Sequence, residues 1–291
     1  MKYADMDGNR FESESSQDKL LRRLYGSKAG GILVRIMISP IISEIGGLFL
    51  GSPLSKPLIK PFIEKNGIDM SRFEDREFKS YNDFFTRKIK DGERVFPKSE
   101  GVLISPSDGK VSCYKINDDC TLNIKGVEYS VSQLLRSGRL AEKFSGGYAF
   151  VIRLTVDDYH RYCWCCSGKK SENRHIGGFY HTVNPAALEK TAVFRENTRE
   201  YCIINSKIFG KVVQMEVGAT MVGRISNNTK EAAFVRRGDE KGKFEFGGST
   251  IVVFTEKDKI SVPEAFLKNT ADGYETIVKQ GEALGFFRGD I

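Results

Sequence analysis

Residues 244–254 read Phe-Glu-Phe-Gly-Gly-Ser-Thr-Ile-Val-Val-Phe, with two glycines and two hydroxyl residues at the entrance of an apolar run. The β-branched and aromatic residues of 251–254 predict a buried strand. Glycine tolerates backbone angles that are closed to other residues, so Gly247 and Gly248 allow a bent peptide to approach the side chain of Ser249. The segment therefore predicts a core strand that begins at a serine in an unusual backbone setting.

Ser249 is the first candidate functional residue. Its hydroxyl could attack the carbonyl of Gly248, shift the acyl group from nitrogen to oxygen, and lose the resulting ester by β-elimination. The residue left behind would be an N-terminal ketone, which is a pyruvoyl group. An ordinary turn before a strand is the alternative interpretation of Gly-Gly-Ser-Thr.

Short apolar runs separated by glycine continue in both directions from this segment and begin near Val95. The clearest predicted strands are residues 101–104, 148–154, 211–217 and 251–254, and residues 131–135 predict a short helix. Residues 1–90 are helical and loop-rich in pattern, with an amphipathic stretch at 18–25 and four prolines between 40 and 61. We therefore expect an α+β protein, in which a helical extension (1–90) precedes a mainly antiparallel β-rich catalytic domain (91–291).

The composition is that of a globular protein, with 291 residues, 40% hydrophobic and 29% charged. Three of the six cysteines are crowded at Cys163, Cys165 and Cys166, which does not fit a spaced disulfide framework, and we see no cleavable signal peptide. A reducing, cytoplasmic setting is the better interpretation. Cys-x-Cys-Cys is also a poor zinc pattern, so no metal is expected.

Positive charge is concentrated near the N-terminus of this chain, whose net charge is +7. Residues 19–63 contain seven Lys or Arg and one acidic residue, Glu44, together with apolar runs at 32–38 and 48–50. These runs are too short and too interrupted to span a bilayer. We expect this segment to bind an anionic membrane surface peripherally, on the cytoplasmic face. Helices packed on the core, or a dimer contact, are the alternatives. Nucleic acid is not expected, because the basic residues are not interleaved with stacking aromatics or placed on a recognisable binding motif.

A serine hydroxyl is a poor nucleophile at neutral pH, so Ser249 needs a base, which a carboxylate usually orients. His160 lies just after the predicted strand 148–154, whereas His175 and His181 flank the segment 177–180. The carboxylate candidate is Asp108, for which a routine Asp-Gly turn between strands is the alternative interpretation.

Seven segments, in this order and spacing, resemble the phosphatidylserine decarboxylase family. They are Phe84-Phe85-Thr86-Arg87, Ser105-Pro106-Ser107-Asp108-Gly109, Asp158-Tyr159-His160-Arg161, Thr182-Val183-Asn184-Pro185, Phe194-Arg195-Glu196-Asn197, Val217-Gly218-Ala219-Thr220 and Gly247-Gly248-Ser249-Thr250.

The resemblance implies a relay of Asp108, His160 and Ser249 that cleaves the chain between Gly248 and Ser249. The two products would remain together as a heterodimer of a large β chain and a small α chain, and a higher oligomer stays open. The pyruvoyl group formed from Ser249 would bind the amine of phosphatidylserine as a Schiff base and accept the electrons released with CO2, leaving phosphatidylethanolamine. No metal is implied.

One position departs from the family pattern. Many members have a second histidine three residues after the first, where this chain has Cys163. His181 or Cys163 would be the substitute if that second histidine were the cleavage base. Two other functions stay open: pyruvoyl-dependent decarboxylation of another serine lipid or a soluble amino acid, and a non-enzymatic β-rich lipid-binding protein.

Overall fold

The computed structural model describes residues 1–12, 40–124, 127–178, 197–218, 224–245 and 249–289. These residues form nineteen strands and six α-helices, and 3₁₀ turns at Pro53–Leu58, Met70–Arg72 and Glu142–Phe144. The helices are α1 (Pro40–Gly51), α2 (Ile59–Asn66), α3 (Tyr81–Phe85), α4 (Val131–Leu135), α5 (Gly138–Ala141) and α6 (Glu264–Ala271). The strands are β1 (Lys2–Ala4), β2 (Arg10–Glu12), β3 (Val102–Ile104), β4 (Gly109–Lys115), β5 (Thr121–Ile124), β6 (Val127–Ser130), β7 (Tyr148–Leu154), β8 (Arg161–Cys163), β9 (Gly168–Lys170), β10 (Arg174–Ile176), β11 (Arg199–Ser206), β12 (Gly210–Gly218), β13 (Ile225–Asn227), β14 (Ala233–Val235), β15 (Glu240–Phe244), β16 (Ser249–Thr255), β17 (Ile260–Ser261), β18 (Glu275–Val278) and β19 (Ala283–Phe287).

One large sheet dominates the described part of the chain. Its strand order is β14-β9-β11-β12-β16-β7-β4-β18-β1-β2, and β10 pairs with β11. All of these pairs are antiparallel except β1 with β18. Smaller sheets have the orders β13-β15-β8, β17-β19-β3 and β5-β6. The prediction of a mainly antiparallel β core is confirmed, as are the predicted strands and the helix at 131–135.

The central strands are buried on both faces, which explains their continuous apolar sequences. In β16, Val252 and Phe254 pack into one hydrophobic cluster, whereas Ile251 and Val253 pack into a second. Successive side chains of a strand point to opposite faces, so an uninterrupted apolar run is what a doubly covered strand requires. This arrangement places β16 at the centre of the fold, between β12 and β7.

The first residues of the chain differ from the expectation of a helical extension. Strand β1 pairs with β18, with Tyr3 opposite Glu275, and β2 pairs with β1. Strands of three residues show no readable periodicity, and the partner of β1 is far away in the sequence. The predicted amphipathic stretch 18–25 lies outside the described residues.

Helices α1 to α3 occupy residues 40–85 and form a small aromatic unit. Phe62 makes edge contacts with Tyr81 and Phe84, whose ring centroids lie at 5.5 and 6.0 Å. Ser80 caps α3 by accepting a hydrogen bond from the backbone of Asp83 at 3.2 Å. This unit packs against the β core at Phe85, which touches His160. None of the described helices combines the length and the apolar character that crossing a bilayer requires.

Candidate active site

Ser249 is the first residue of β16 and lies between two neighbouring strands. It is opposite Gly218 of β12 on one side and Leu154 of β7 on the other, and none of its surface is exposed. Its Oγ has no hydrogen-bond partner among the described residues. A buried hydroxyl without a partner costs about 1–3 kcal/mol, and no described residue engages the Oγ of Ser249, which leaves it available to react. Gly248 lies outside the described residues.

His160 is almost completely buried, with 1% exposed, in the turn between β7 and β8. Its Nδ1 lies 2.8 Å from the backbone oxygen of Asp158. A carbonyl oxygen can only accept, so Nδ1 carries the proton and Nε2 holds the lone pair. That Nε2 is buried and has no partner among the described residues.

The surroundings of His160 keep its ring neutral. Burial lowers its pKa from 6.5 to about 4, against the opposing effect of Asp158. The ring of Phe85 lies over the imidazole at a centroid distance of 4.0 Å, which fixes the orientation of the ring. His160 is therefore a neutral imidazole with a free accepting nitrogen, as a general base must be.

Strand pairing brings His160 and Ser249 to the same edge of the fold. Leu154, opposite Ser249, ends the strand from which the chain turns to His160. The backbone oxygen of His160 accepts a hydrogen bond from Phe244 at 2.9 Å, shortly before the chain reaches Ser249. The two side chains do not hydrogen-bond to each other in this structure, so proton transfer requires them to approach.

Asp108 precedes β4 at this same edge, because Lys110 pairs with Arg153 next to Leu154. Its carboxylate accepts hydrogen bonds from Nη2 of Arg94 at 2.8 and 2.6 Å and from the backbone of Gln280 at 2.8 Å. The structure therefore places Asp108 in a charged turn and not against the imidazole. The contact that orients His160 comes instead from the backbone of Asp158.

Gly109 explains the Asp-Gly pair of the sequence. A Cβ at this position would lie 2.9 Å from the backbone oxygen of Arg153 and 2.9 Å from Cγ2 of Ile152. Glycine is required because β4 and β7 approach closely here. The close approach holds Asp108 at the edge of the sheet beside β7.

Asp158 supports the position of His160. It belongs to one of the family-like segments, but the sequence alone indicated no role for it. Its Oδ2 accepts hydrogen bonds from Nζ of Lys110 at 2.7 Å and from the backbone and hydroxyl of Thr155 at 2.7 and 2.8 Å. Burial raises the pKa of Asp158, but the Lys110 ammonium and Thr155 outweigh it and hold the pKa below its usual value. This ion pair fixes the loop whose carbonyl orients His160.

Cys163 lies in an apolar cluster with Val102 and Ile104, and its backbone donates to Pro106 at 2.8 Å. Burial raises the pKa of its thiol, which disfavours the thiolate that a base would need. All six cysteines are buried free thiols. His181 lies outside the described residues. Within the described ranges, no three His, Cys, Asp or Glu side chains are grouped so as to hold a metal ion.

Comparisons with known proteins match most of this chain to one family. The sequence pattern of the family described as phosphatidylserine decarboxylase matches residues 81–286. The chain is 42% identical to phosphatidylserine decarboxylase proenzyme 2 of Clostridium acetobutylicum, over 91% of both chains. It is 39% identical to the phosphatidylserine decarboxylase proenzyme of Clostridium botulinum (strain 657), over 98% of this chain and 99% of the relative.

The proenzyme of Desulfitobacterium hafniense is 38% identical over 98% of both chains. The family match extends from the first residue of α3 into the last strand, β19, so it includes Asp108, His160 and Ser249. The chain belongs to the phosphatidylserine decarboxylase family.

Proposed function

We propose that this protein decarboxylates phosphatidylserine to phosphatidylethanolamine and CO2, with a pyruvoyl group that it makes from its own Ser249. Family membership supports the reaction. The observation that carries the mechanism is the buried Ser249 hydroxyl, which has no partner among the described residues and lies at the edge where His160 holds a free nitrogen.

Self-cleavage begins when Nε2 of His160 takes the proton of the Ser249 hydroxyl. The Oγ then attacks the carbonyl carbon of Gly248, the peptide C–N bond breaks, and an ester links the two residues. Loss of the α-proton of Ser249 expels the Gly248 carboxylate, and water converts the remaining enamine to a ketone with release of ammonia. Holding the two reacting groups together can lower the barrier by about 7–11 kcal/mol.

The resulting ketone supplies an electron sink for the bond that breaks when the substrate loses CO2. The surroundings fit such a group because Ser249 is fully buried at the start of β16, next to the apolar residues of the core. His160, at the same edge of the fold, is a neutral group that can hold a proton, and it is our candidate for protonating the product carbon.

The cleaved fragment 249–291 should remain bound to the rest of the chain. Its strand β16 lies between β12 and β7, and β18 lies between β4 and β1. Removing the fragment would expose both hydrophobic clusters, so the mature protein is a heterodimer of its own two chains.

Intact-mass measurement with a decarboxylation assay on phosphatidylserine vesicles tests this function. We expect two chains, residues 1–248 and 249–291, with the smaller one blocked to amino-terminal sequencing, and release of CO2. Full-length protein that decarboxylates the lipid without cleavage would contradict the pyruvoyl mechanism.

The pH dependence of self-cleavage provides a separate prediction. A base with a pKa of about 4 is neutral at all higher pH values, so the rate should stay level from neutral pH to about 5 and fall as the pH drops through 4. The unfolded chain binds the proton near 6.5, so stability also declines below that pH. Cleavage rates of freshly refolded precursor, with circular dichroism at each pH, check this. A midpoint near 6.5 would mean that the base is not a buried His160.

We infer that the protein attaches peripherally to the cytoplasmic face of a membrane, where its free thiols would stay reduced. Ile45, Leu48, Phe49, Leu54 and Leu58, in and after α1, expose large apolar side chains, with Leu48 72% and Leu54 78% exposed. Lys56 and Lys60 lie in the same segment, near Glu77 and Glu64 respectively. Exposed apolar groups beside lysines are typical of a surface that enters the headgroup region of an anionic bilayer. Such a surface favours a lipid substrate over a soluble amino acid.

Vesicle co-sedimentation measures this attachment. We expect binding to phosphatidylserine-containing vesicles that weakens with salt and is lost in the double variant Leu48→Ser, Leu54→Ser. Leu50 is buried against the aromatic unit and is unsuitable as a target. The control is Val95→Ser with Phe234→Ser, since these exposed residues lie outside the segment. If the Leu48/Leu54 variant and the Val95/Phe234 control bind the vesicles equally well, residues 45–60 serve in packing and not in membrane attachment.

A further inference from the structure

Arg87 is a buried arginine directly beside the candidate active site. Only 2% of the residue is exposed, and it follows α3, whose Phe84 backbone oxygen accepts its amide at 3.0 Å. The guanidinium carbon lies 4.4 Å from the ring centre of Phe73 and 4.8 Å from that of Phe84. The two rings contact the cation through their faces, and such contacts use none of its hydrogen-bond donors.

Two hydrogen-bond donors of Arg87 have no partner among the described residues, unlike the donors of the other buried arginines Arg153 and Arg199. The Nε and Nη1 of Arg87 are buried without any hydrogen-bond partner within the described ranges. Arg153, equally buried, pairs with Glu275, and Arg199 donates to the backbone oxygens of Leu134, Asn197 and Gln133. A buried charge without a partner is strongly unfavourable, which makes Arg87 a candidate for binding an anion from outside the chain.

Arg87 stays charged at neutral pH, although burial lowers its pKa to about 10. Its charge also reaches the catalytic groups, because it contributes to the lowered pKa of His160 and is itself affected by Asp108. Phe85, two residues earlier, lies against the imidazole. An anion held by Arg87 would therefore lie near His160, the candidate base.

We propose that Arg87 binds the phosphodiester of the substrate headgroup and so selects serine phospholipids. This inference rests on the proposed function. The serine phospholipid carries two anions, a carboxylate and a phosphodiester. A cation on the carboxylate would stabilise the charge that the reaction must remove, which would slow the reaction. The phosphodiester keeps its charge throughout, and a guanidinium fork matches its oxygens.

The spacing in the substrate agrees with this placement. One methylene and one oxygen separate the amine-bearing carbon from phosphorus, so the anion lies close to residue 249 whenever the amine does. Arg87 is thus a positioning and specificity residue, and the chemistry on the amine and carboxylate remains with Ser249 and His160.

Kinetics on fully cleaved enzyme test the proposal. The substrates are a short-chain phosphatidylserine and an O-alkyl serine that has the same amine and carboxylate but no phosphate. Arg87→Gln should lower kcat/KM for the phospholipid about 10- to 100-fold, mainly through KM. The loss should be far smaller for the O-alkyl serine, which lacks the phosphate and is affected only through the charge of Arg87 near His160. Arg87→Lys keeps the positive charge but lacks the forked guanidinium, so its kcat/KM for the phospholipid should lie between those of the wild type and Arg87→Gln. The matched control is Arg76→Gln, since Arg76 lies in the same segment but is paired with Asp83. Equal losses on both substrates, or none, would overturn the proposal.

A binding measurement separates this inference from the proposed function. Calorimetry with dihexanoyl phosphatidylmethanol, which has a phosphodiester but neither amine nor carboxylate, requires no catalysis. We expect the wild-type protein to bind it at least tenfold more tightly than dihexanoylglycerol, and Arg87→Lys to reduce that preference. Equal binding of the two lipids by the wild type would refute the phosphodiester site, even if Arg87→Gln does not fold. If the wild-type protein prefers the phosphodiester lipid but does not decarboxylate phosphatidylserine, only the proposed function is refuted.

Discussion

Ser249→Ala should remain a single chain of 291 residues and show no decarboxylase activity. Alanine has no hydroxyl to attack Gly248 and no oxygen to eliminate, so neither cleavage nor formation of the ketone can occur. The fold should be retained, because the Ser249 hydroxyl makes no hydrogen bond to any described residue and its removal leaves no partner unpaired. A denaturing gel, intact mass and a CO2-release assay measure the three effects.

Thr250→Val is the matched control for this variant. Thr250 is the next residue of β16, is fully buried, and also has a hydroxyl without a partner among the described residues. We expect it to cleave and decarboxylate normally. If Thr250→Val also blocks cleavage, the effect belongs to the start of β16 as a whole and not to the nucleophile. Cleaved, active Ser249→Ala protein would exclude the mechanism outright.

His160→Ala should accumulate as uncleaved precursor. Removing a positioned general base slows a proton transfer by about 100- to 10,000-fold, and the free Nε2 of His160 is the accepting nitrogen that the structure places at this edge. A time course of refolded precursor on denaturing gels gives the rate. Because Phe85 rests on the imidazole, thermal unfolding should be recorded to separate lost packing from lost chemistry.

Two further variants test whether His160, and not a neighbouring residue, is the base. Cys163→Ala should cleave at nearly the normal rate, since its thiol is buried among apolar residues. Asp108→Ala should slow cleavage, through loss of the charged turn that binds Arg94 and the backbone of Gln280. Normal processing of His160→Ala would transfer the role of base to His181 or Cys163. Normal processing of both His160→Ala and Asp108→Ala would place the relay elsewhere.

Local sequence was sufficient for the β core. The run 251–254 and the segment 148–154 form β16 and β7, because a strand covered on both faces needs apolar residues at every position. Strands β1 and β2 could not be predicted in this way. Three residues carry no periodicity, and β1 is held by pairing with β18, more than 270 positions away.

The candidate residues could also be identified from the local sequence. Ser249 and Asp108 each stand next to glycine, and His160 follows a clearly predicted strand. What those residues contact was decided only by the tertiary structure. The carboxylate of Asp108 meets Gln280, and the imidazole of His160 meets Phe85, through contacts between distant parts of the chain. Burial and hydrogen-bond partners are properties of the assembled fold. The free nitrogen of His160, the unpaired hydroxyl of Ser249 and the unused donors of Arg87 therefore emerge only when the strands and helices have packed together.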